Sequence, residues 1–282
     1  MTQIFKTTLL MAGLLGIFML VGYLFGGQSG MLMALIFGCA ANLGMYWFSG
    51  SLVVKMQGAK PLNGKYPEVE RIITDLAQRE NMPMPKLYYV DTLVPNAFAT
   101  GRSPANAVVA VTTGIMEILT ESELRAVLAH ELGHVKNYDM LVSTIAACIA
   151  GTISYIAQFA FMFGGNRDGE GGNPIAAIAA AILAPIAAMV IQMAISRSRE
   201  FLADEHSAQT LGSGKELESA LLKLESWKQS APPLQPSPTE EVTASLMFAN
   251  MFSMRGLASL FSTHPSTADR VKRLRGLDGR PE

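Results

Sequence analysis

The chain has 282 residues, half of them hydrophobic and only 16% charged, with a formal net charge of −1. Its mean hydropathy is +0.28, above the usual range for a soluble domain of this size, so part of the apolar content has to lie outside any water-surrounded core. The near-neutral balance, with no basic patch, speaks against nucleic-acid partners, and two cysteines far apart in apolar stretches, Cys39 and Cys148, speak against a disulfide framework.

The apolar residues are concentrated in three charge-free stretches, Thr7–Val54, Leu141–Asn166 and Gly171–Ser196. Each is long enough to cross a bilayer, and the first is long enough to cross twice. Gly26-Gly27-Gln28-Ser29-Gly30 divides that first stretch, so residues 1–50 read as a transmembrane hairpin with spans near 8–25 and 31–49. A second apolar run follows at once and the amino-terminal region has only Lys6, which is not the pattern of a cleaved signal peptide.

Residues 51–139 are polar. Pro67–Asn81 has Val69, Ile72, Ile73 and Leu76 at helical spacing and stops at Met82-Pro83-Met84-Pro85, which predicts an amphipathic helix. Lys86–Val90 and Ala97–Thr100 follow as extended segments, and Ala107–Thr112 is a strand candidate just ahead of the next helix.

That helix opens with the capping box Thr120-x-x-Glu123 and continues with Leu124, Val127, Leu128, Leu132 and Val135 at helical spacing. It carries His130-Glu131-Leu132-Gly133-His134. Residues i and i+4 share a helix face about 6 Å apart along the axis, so both imidazoles can converge on one ion. Glu131 projects beside that ion, as a general base acting on water requires. The pattern points to a zinc metallopeptidase; the plain alternative is two histidines that only hydrogen-bond to neighbours. An extended substrate would pair with an edge strand preceding such a helix, a place Ala107–Thr112 occupies in the sequence, unless that strand only supports the helix.

Residues 140–196 predict a second transmembrane hairpin, with spans near 140–163 and 174–195. The fourth span is alanine-rich with Pro185 inside, tolerable in a membrane helix whose neighbours satisfy the freed carbonyl; a buried soluble hairpin is the alternative. Lys6, Lys55, Lys60, Lys65, Lys136, Arg197 and Arg199 all fall on one side of four crossings, against Arg167 alone on the other, so the polar regions should face the cytoplasm. No internal repeat is present.

Residues 197–282 have to supply the remaining ligand. Glu200 is the best candidate, on a helix reaching about Leu211, and Asp204 one turn on could accept the outer N–H of a ligand histidine. His206 reads as a surface residue. Pro232, Pro233, Pro236 and Pro238 mark a loop over 230–241. His264, beside Pro265, has two readings: a donor to the oxyanion, or a cap of the last helix. Arg199 is a second candidate donor. Ser266–Leu274, with Asp269, Arg270, Lys272 and Arg273, reads as a solvated charged face.

Taken in order, His130–His134, Asn96-Ala-Phe-Ala-Thr-Gly101, Ala110-Val-Thr-Thr-Gly114, Ser198-Arg-Glu-Phe-Leu-Ala-Asp204 and Thr263-His-Pro265 resemble the HtpX-type heat-shock membrane proteases, bacterial relatives of the CAAX prenyl proteases. The resemblance covers nearly the whole chain. It implies a multi-pass α-helical membrane protein of the bacterial inner membrane with a cytoplasmic gluzincin (zincin) α+β catalytic domain. One zinc per chain would be bound by His130, His134 and Glu200, with Glu131 as base, Asp204 behind the ligands, and Asn96, Ala97 and Phe98 bordering the substrate cleft. Implied partners are damaged or unfolded membrane proteins as substrates, the lipid bilayer, and other membrane proteases or chaperones. Competing readings are an adaptor or holdase with a structural zinc, and a dedicated processing protease of the prenyl-protein type.

Overall fold

A computed structural model describes residues 53–146, 174–230 and 265–279, together with single positions elsewhere. The chain divides into two units: residues 1–46 with 141–198, and residues 47–140 with 199–282.

In the second unit, α1 (Pro67–Arg79) starts with proline in its first turn and glutamates at 68 and 70, a residue order that suits the positive end of the helix dipole. Its apolar stripe, Val69, Ile72, Ile73 and Leu76, is fully buried. Four strands form one sheet: β1 (Lys60–Pro61), β2 (Lys86–Val90), β3 (Ala97–Thr100) and β4 (Val108–Thr112), in the order β1-β2-β4-β3. β2 and β4 run parallel, with Lys86 opposite Val108, while β3 returns antiparallel along β4, with Ala97 opposite Val111.

This order corrects one expectation. The 107–112 run is paired on both sides and all five residues of β4 are buried, which explains its unbroken apolar sequence. The edge facing the metal helix is β3 instead. Thr112 N–H donates to the Asn96 carbonyl (2.9 Å), and antiparallel pairing alternates along the strand. Asn96, Phe98 and Thr100 therefore point their backbone groups toward β4, and Ala97 and Ala99 point theirs outward.

The short α2 (Thr113–Ile118) follows β4 directly and leads to α3 (Glu121–Lys136), the motif helix. Both halves of its capping box are made, with Thr120 Oγ1 accepting from Glu123 N–H and Glu123 Oε2 accepting from Thr120 N–H. α3 packs on α1, on β3 and on α5 (Lys215–Ser230), a helix the sequence reading did not single out, and α5 carries α6 (Thr267–Leu277). The shared core joins Leu76 of α1, Val109 and Val111 of β4, Leu128 and Leu132 of α3, Leu217 and Leu221 of α5, and Leu274 of α6.

Glu123 also receives Ser219 Oγ (2.6 Å) and Lys223 Nζ (2.7 Å) from α5. Burial pushes its carboxyl upward, but the bonds from Lys223, Ser219 and Thr120 outweigh that and hold it at about 2, below the ordinary 4.5. Because the folded value is depressed, the stabilisation is complete above the unfolded pKa and disappears as pH falls from about 4.5 toward 2. Glu123→Gln should cost about 2 kcal/mol at pH 7, from the lost cap and the charged bonds. The gap between its melting temperature and that of the parent should shrink by pH 3; a gap independent of pH would refute the charge assignment.

Helix α4 (Pro174–Leu211) is a single run of 38 residues with Pro185 inside. In the first unit it exposes Ile182, Leu183, Ile186, Met189 and Val190. Among the described residues no helix is long and apolar enough to cross a membrane. Apart from single positions, the spans expected near 8–25 and 31–49 lie outside the described residues, as do residues 147–163 of the third span except 149, 150 and 153, the 230–241 loop beyond Ser230, and His264.

Candidate metal centre

Helix α3 presents His130 and His134 from successive turns, and α4 presents Glu200 from its second-unit portion. One ligand atom from each of the three lies within 4.8 Å of the other two. His130 Nε2 and His134 Nε2 are 3.1 Å apart. Glu200 Oε2 lies 3.7 Å from the first and Oε1 lies 3.5 Å from the second.

The opposite edge of each imidazole faces a carboxylate. His130 Nδ1 is 3.0 Å from Asp204 Oδ1, and His134 Nδ1 is 2.7 Å from Asp139 Oδ2. An ionised carboxylate only accepts, so each Nδ1 carries the proton and each Nε2 turns a lone pair inward. Two lone pairs facing each other at 3.1 Å repel unless a cation lies between them. Bonds of about 2.0–2.1 Å to a tetrahedral ion place two nitrogens roughly 3.3 Å apart, so the separation and the donor set fit zinc.

Burial favours neutral imidazole. His130 is fully enclosed, and burial, reinforced by the Arg270 charge, pulls its pKa down to about 4. Burial pushes Asp204 up, but the adjacent Arg270 guanidinium and the bond to His130 hold it below the usual carboxylate range. His130 therefore has no proton to lose from Nε2 at neutral pH before a metal binds.

Glu131 projects from the same helix into the cleft between α3 and the sheet. Its Oε2 accepts from the Ala99 backbone N–H at 2.8 Å, the outward amide of the edge strand. Burial raises its pKa to about 7, and the neighbouring Glu200 charge adds to the rise. Asn96 is buried beside Thr112, and Ala97 and Phe98 are enclosed as well, Phe98 packing with Val53 and Ala110. The cleft-facing features of this segment are therefore backbone groups rather than those side chains.

Arg199 is occupied otherwise than as a free donor: its guanidinium pairs with Asp139 and its Nη2 donates to the Asn137 carbonyl at 2.9 Å. It thus braces the carboxylate that orients His134. His206 is not a surface residue. It packs against Gly133, where an added Cβ would approach its ring to 3.0 Å, and its Nε2 lies 3.4 Å from Glu80 Oε1. The helix periodicity that turns His206 away from Asp204 turns it toward α3, which a one-helix reading cannot show.

Two participants went unread. Asp139 stands five residues past His134, one turn beyond the metal pair, a spacing that could have signalled it. Arg270 sits in the run expected to be a solvated face, yet its side chain is buried: Nε and Nη2 donate to Asp204 at 2.9 and 2.5 Å. Asp269, Lys272 and Arg273 in the same run are not fully buried, so the reading fails at Arg270 because one position in a charged run faces inward.

Against known proteins, the pattern of peptidase family M48 matches residues 63–278. The chain is 49% identical over 272 residues to a protein titled protease HtpX homolog from Ralstonia pickettii, covering 95% of this chain and 94% of that one. It is 47% identical over 276 residues to a protein of the same title from Methylibium petroleiphilum, with 97% of each chain covered. Among solved structures it is similar to Ste24p of S. mikatae, with a TM-score of 0.56, 21% identity, and coverage of 93% of this chain and 62% of that one, less than two thirds of its length. Together with an HExxH helix whose histidines and Glu200 converge, these matches place the chain in peptidase family M48, as a metalloprotease.

Proposed function

We propose that this chain is a zinc metalloendopeptidase that hydrolyses damaged or misfolded membrane proteins on the cytoplasmic face of a bacterial inner membrane, as quality control under stress. The observation that carries the peptidase chemistry is Glu131, buried beside His130, His134 and Glu200 and held by the outward amide of an edge strand. Zinc, which His130, His134 and Glu200 would hold, would supply Lewis acidity at the scissile carbonyl and at the attacking water. Glu131 takes a proton from the attacking water and returns it to the leaving amine. Burial raises the Glu131 pKa in the metal-free site, and a divalent ion bound beside it would draw the carboxyl back toward its ionised, proton-accepting form. Asp204 and Asp139 hold the imidazoles in one tautomer, and Arg199 holds Asp139.

The outward backbone groups of Ala97 and the outward carbonyl of Ala99, whose N–H is taken by Glu131, offer a substrate in extended conformation a strand to pair with. Main-chain pairing recognises unfolded polypeptide irrespective of side chain, which suits an enzyme that clears damaged proteins. The membrane part of the reading is supported by the three charge-free stretches and the one-sided distribution of basic residues. The exposed apolar row Ile182, Leu183, Ile186, Met189 and Val190 supports it as well.

Detergent-solubilised chain, supplied with zinc, is expected to cut a destabilised membrane protein while leaving a prenylated peptide and the folded parent of that membrane protein intact, and a chelator should stop the reaction. Preferential cleavage of the prenylated peptide would favour the dedicated processing reading. Binding of the unfolded substrate without any cleavage would favour the adaptor reading.

A further inference from the structure

Arg270 reaches the metal centre from the far end of the sequence. It lies on α6, which is anchored independently of it: Val271 and Leu274 are buried in the core, Thr267 Oγ1 donates to Glu225 at 3.1 Å, and Arg275 Nε donates to Glu218 at 2.8 Å. From that platform the buried guanidinium grips both oxygens of Asp204. Its Nη2 is 3.4 Å from His130 Nδ1, and its Nη1 is 3.5 Å from Glu200 Oε2. One side chain therefore touches the carboxylate that orients the first ligand and an oxygen of the third ligand. Planar bidentate contact of this kind fixes orientation in a way an ammonium cannot.

Two effects oppose each other. A fixed positive charge this close repels a cation, so charge alone predicts that removing Arg270 tightens metal binding. Geometry predicts the reverse, because Asp204 loses its clamp, His130 its tautomer and ring orientation, and Glu200 its lateral contact. The charges favour the second effect: Arg199 and Arg270 are each paired with an outer carboxylate, Asp139 and Asp204, which leaves Glu131 and Glu200 as the two formal negative charges facing a divalent ion.

We propose that Arg270 is a positioning residue for the metal centre, holding His130 in ligand geometry through Asp204 and Glu200 by direct contact, so that the C-terminal helix sets metal affinity. The proposal rests on the zinc reading above. Its test is the zinc dissociation constant of the full chain in detergent, measured by chelator competition, for the parent, Arg270→Lys, Arg270→Met, Asp204→Asn and the Arg270→Met/Asp204→Asn double variant. Melting of the metal-free forms controls for folding, and the absorption spectrum of the cobalt-loaded forms reports ligand geometry.

Arg270→Met and Asp204→Asn should each weaken zinc binding by about 10–100-fold. Arg270→Lys should be weakened too, with a changed cobalt spectrum at an unchanged metal-free melting temperature. The double variant should be weaker than Asp204→Asn alone by less than the full loss seen in Arg270→Met, because Arg270 acts on His130 only through Asp204 and on Glu200 directly. Zinc binding by Arg270→Met as tight as the parent's or tighter, parent-like Arg270→Lys, or losses that multiply in the double variant would each overturn the proposal. If Arg270→Met does not fold, Arg270→Lys decides. A parent chain that binds no zinc would overturn the underlying metal reading instead.

Discussion

Replacing Glu131 by Gln should lower proteolysis by about 10²–10⁴-fold, the range a positioned general base contributes, with one equivalent of metal still bound. The substitution keeps the volume and an oxygen that can accept from Ala99 N–H, so the edge strand and α3 should stay where they are. What it removes is the ability to take up and return a proton. Metal content, unfolded-substrate binding and melting temperature should all match the parent. Activity retained within tenfold would sink the role of Glu131 as base, and a loss of metal alongside activity would show it to be part of the ligand set.

The second large effect is expected at Glu200. Glu200→Gln should release the metal and abolish cleavage together, because it withdraws an anionic oxygen from a site whose two other ligands are neutral imidazoles. The loss in zinc affinity should exceed the roughly 10–100-fold typical of an outer carboxylate. Metal-to-protein ratio after dialysis, compared with that of Glu131→Gln, separates the two roles: one variant keeps zinc without activity, the other keeps neither. Stoichiometric zinc in Glu200→Gln would require another third ligand. Glu200 is buried next to Arg270, so folding of the metal-free variant has to be followed in parallel.

Much of the site was legible because it rests on local periodicity. The spacing of His130 and His134 follows from 3.6 residues per turn, the Thr120–Glu123 capping box marks where that helix starts, and Glu200 with Asp204 repeats the same one-turn logic on a second helix. Val69, Ile72, Ile73 and Leu76 announced the buried face of α1 for the same reason. Strand pairing was not legible to that degree. The apolar run at 107–112 identified β4 as a strand, but whether a strand is central or at an edge depends on its neighbours, and β2 and β3 come from both sides of it. The sequence left β4 either to pair with a substrate or only to support the helix, and the order β1-β2-β4-β3 puts β4 inside the sheet and β3 at the edge beside α3.

The sequence by itself picked out the helix with both histidines, the candidate base, the candidate third ligand 66 residues on from His134, and the family likeness, since each is carried by spacing within one segment. Only the tertiary structure decided what surrounds them. Arg270 is 140 residues from His130, and nothing in a run of Asp269, Arg270, Lys272 and Arg273 says which charge turns inward. His206 is half-buried against Gly133 and Glu80, two contacts from two other segments. The physical reason is common to all of these: helix periodicity fixes which face a side chain shares with its near neighbours, but its desolvation and its charge partner come from packing against distant chain. The burial that keeps His130 neutral and raises the Glu131 carboxyl in the metal-free site therefore belongs to the fold rather than to the motif.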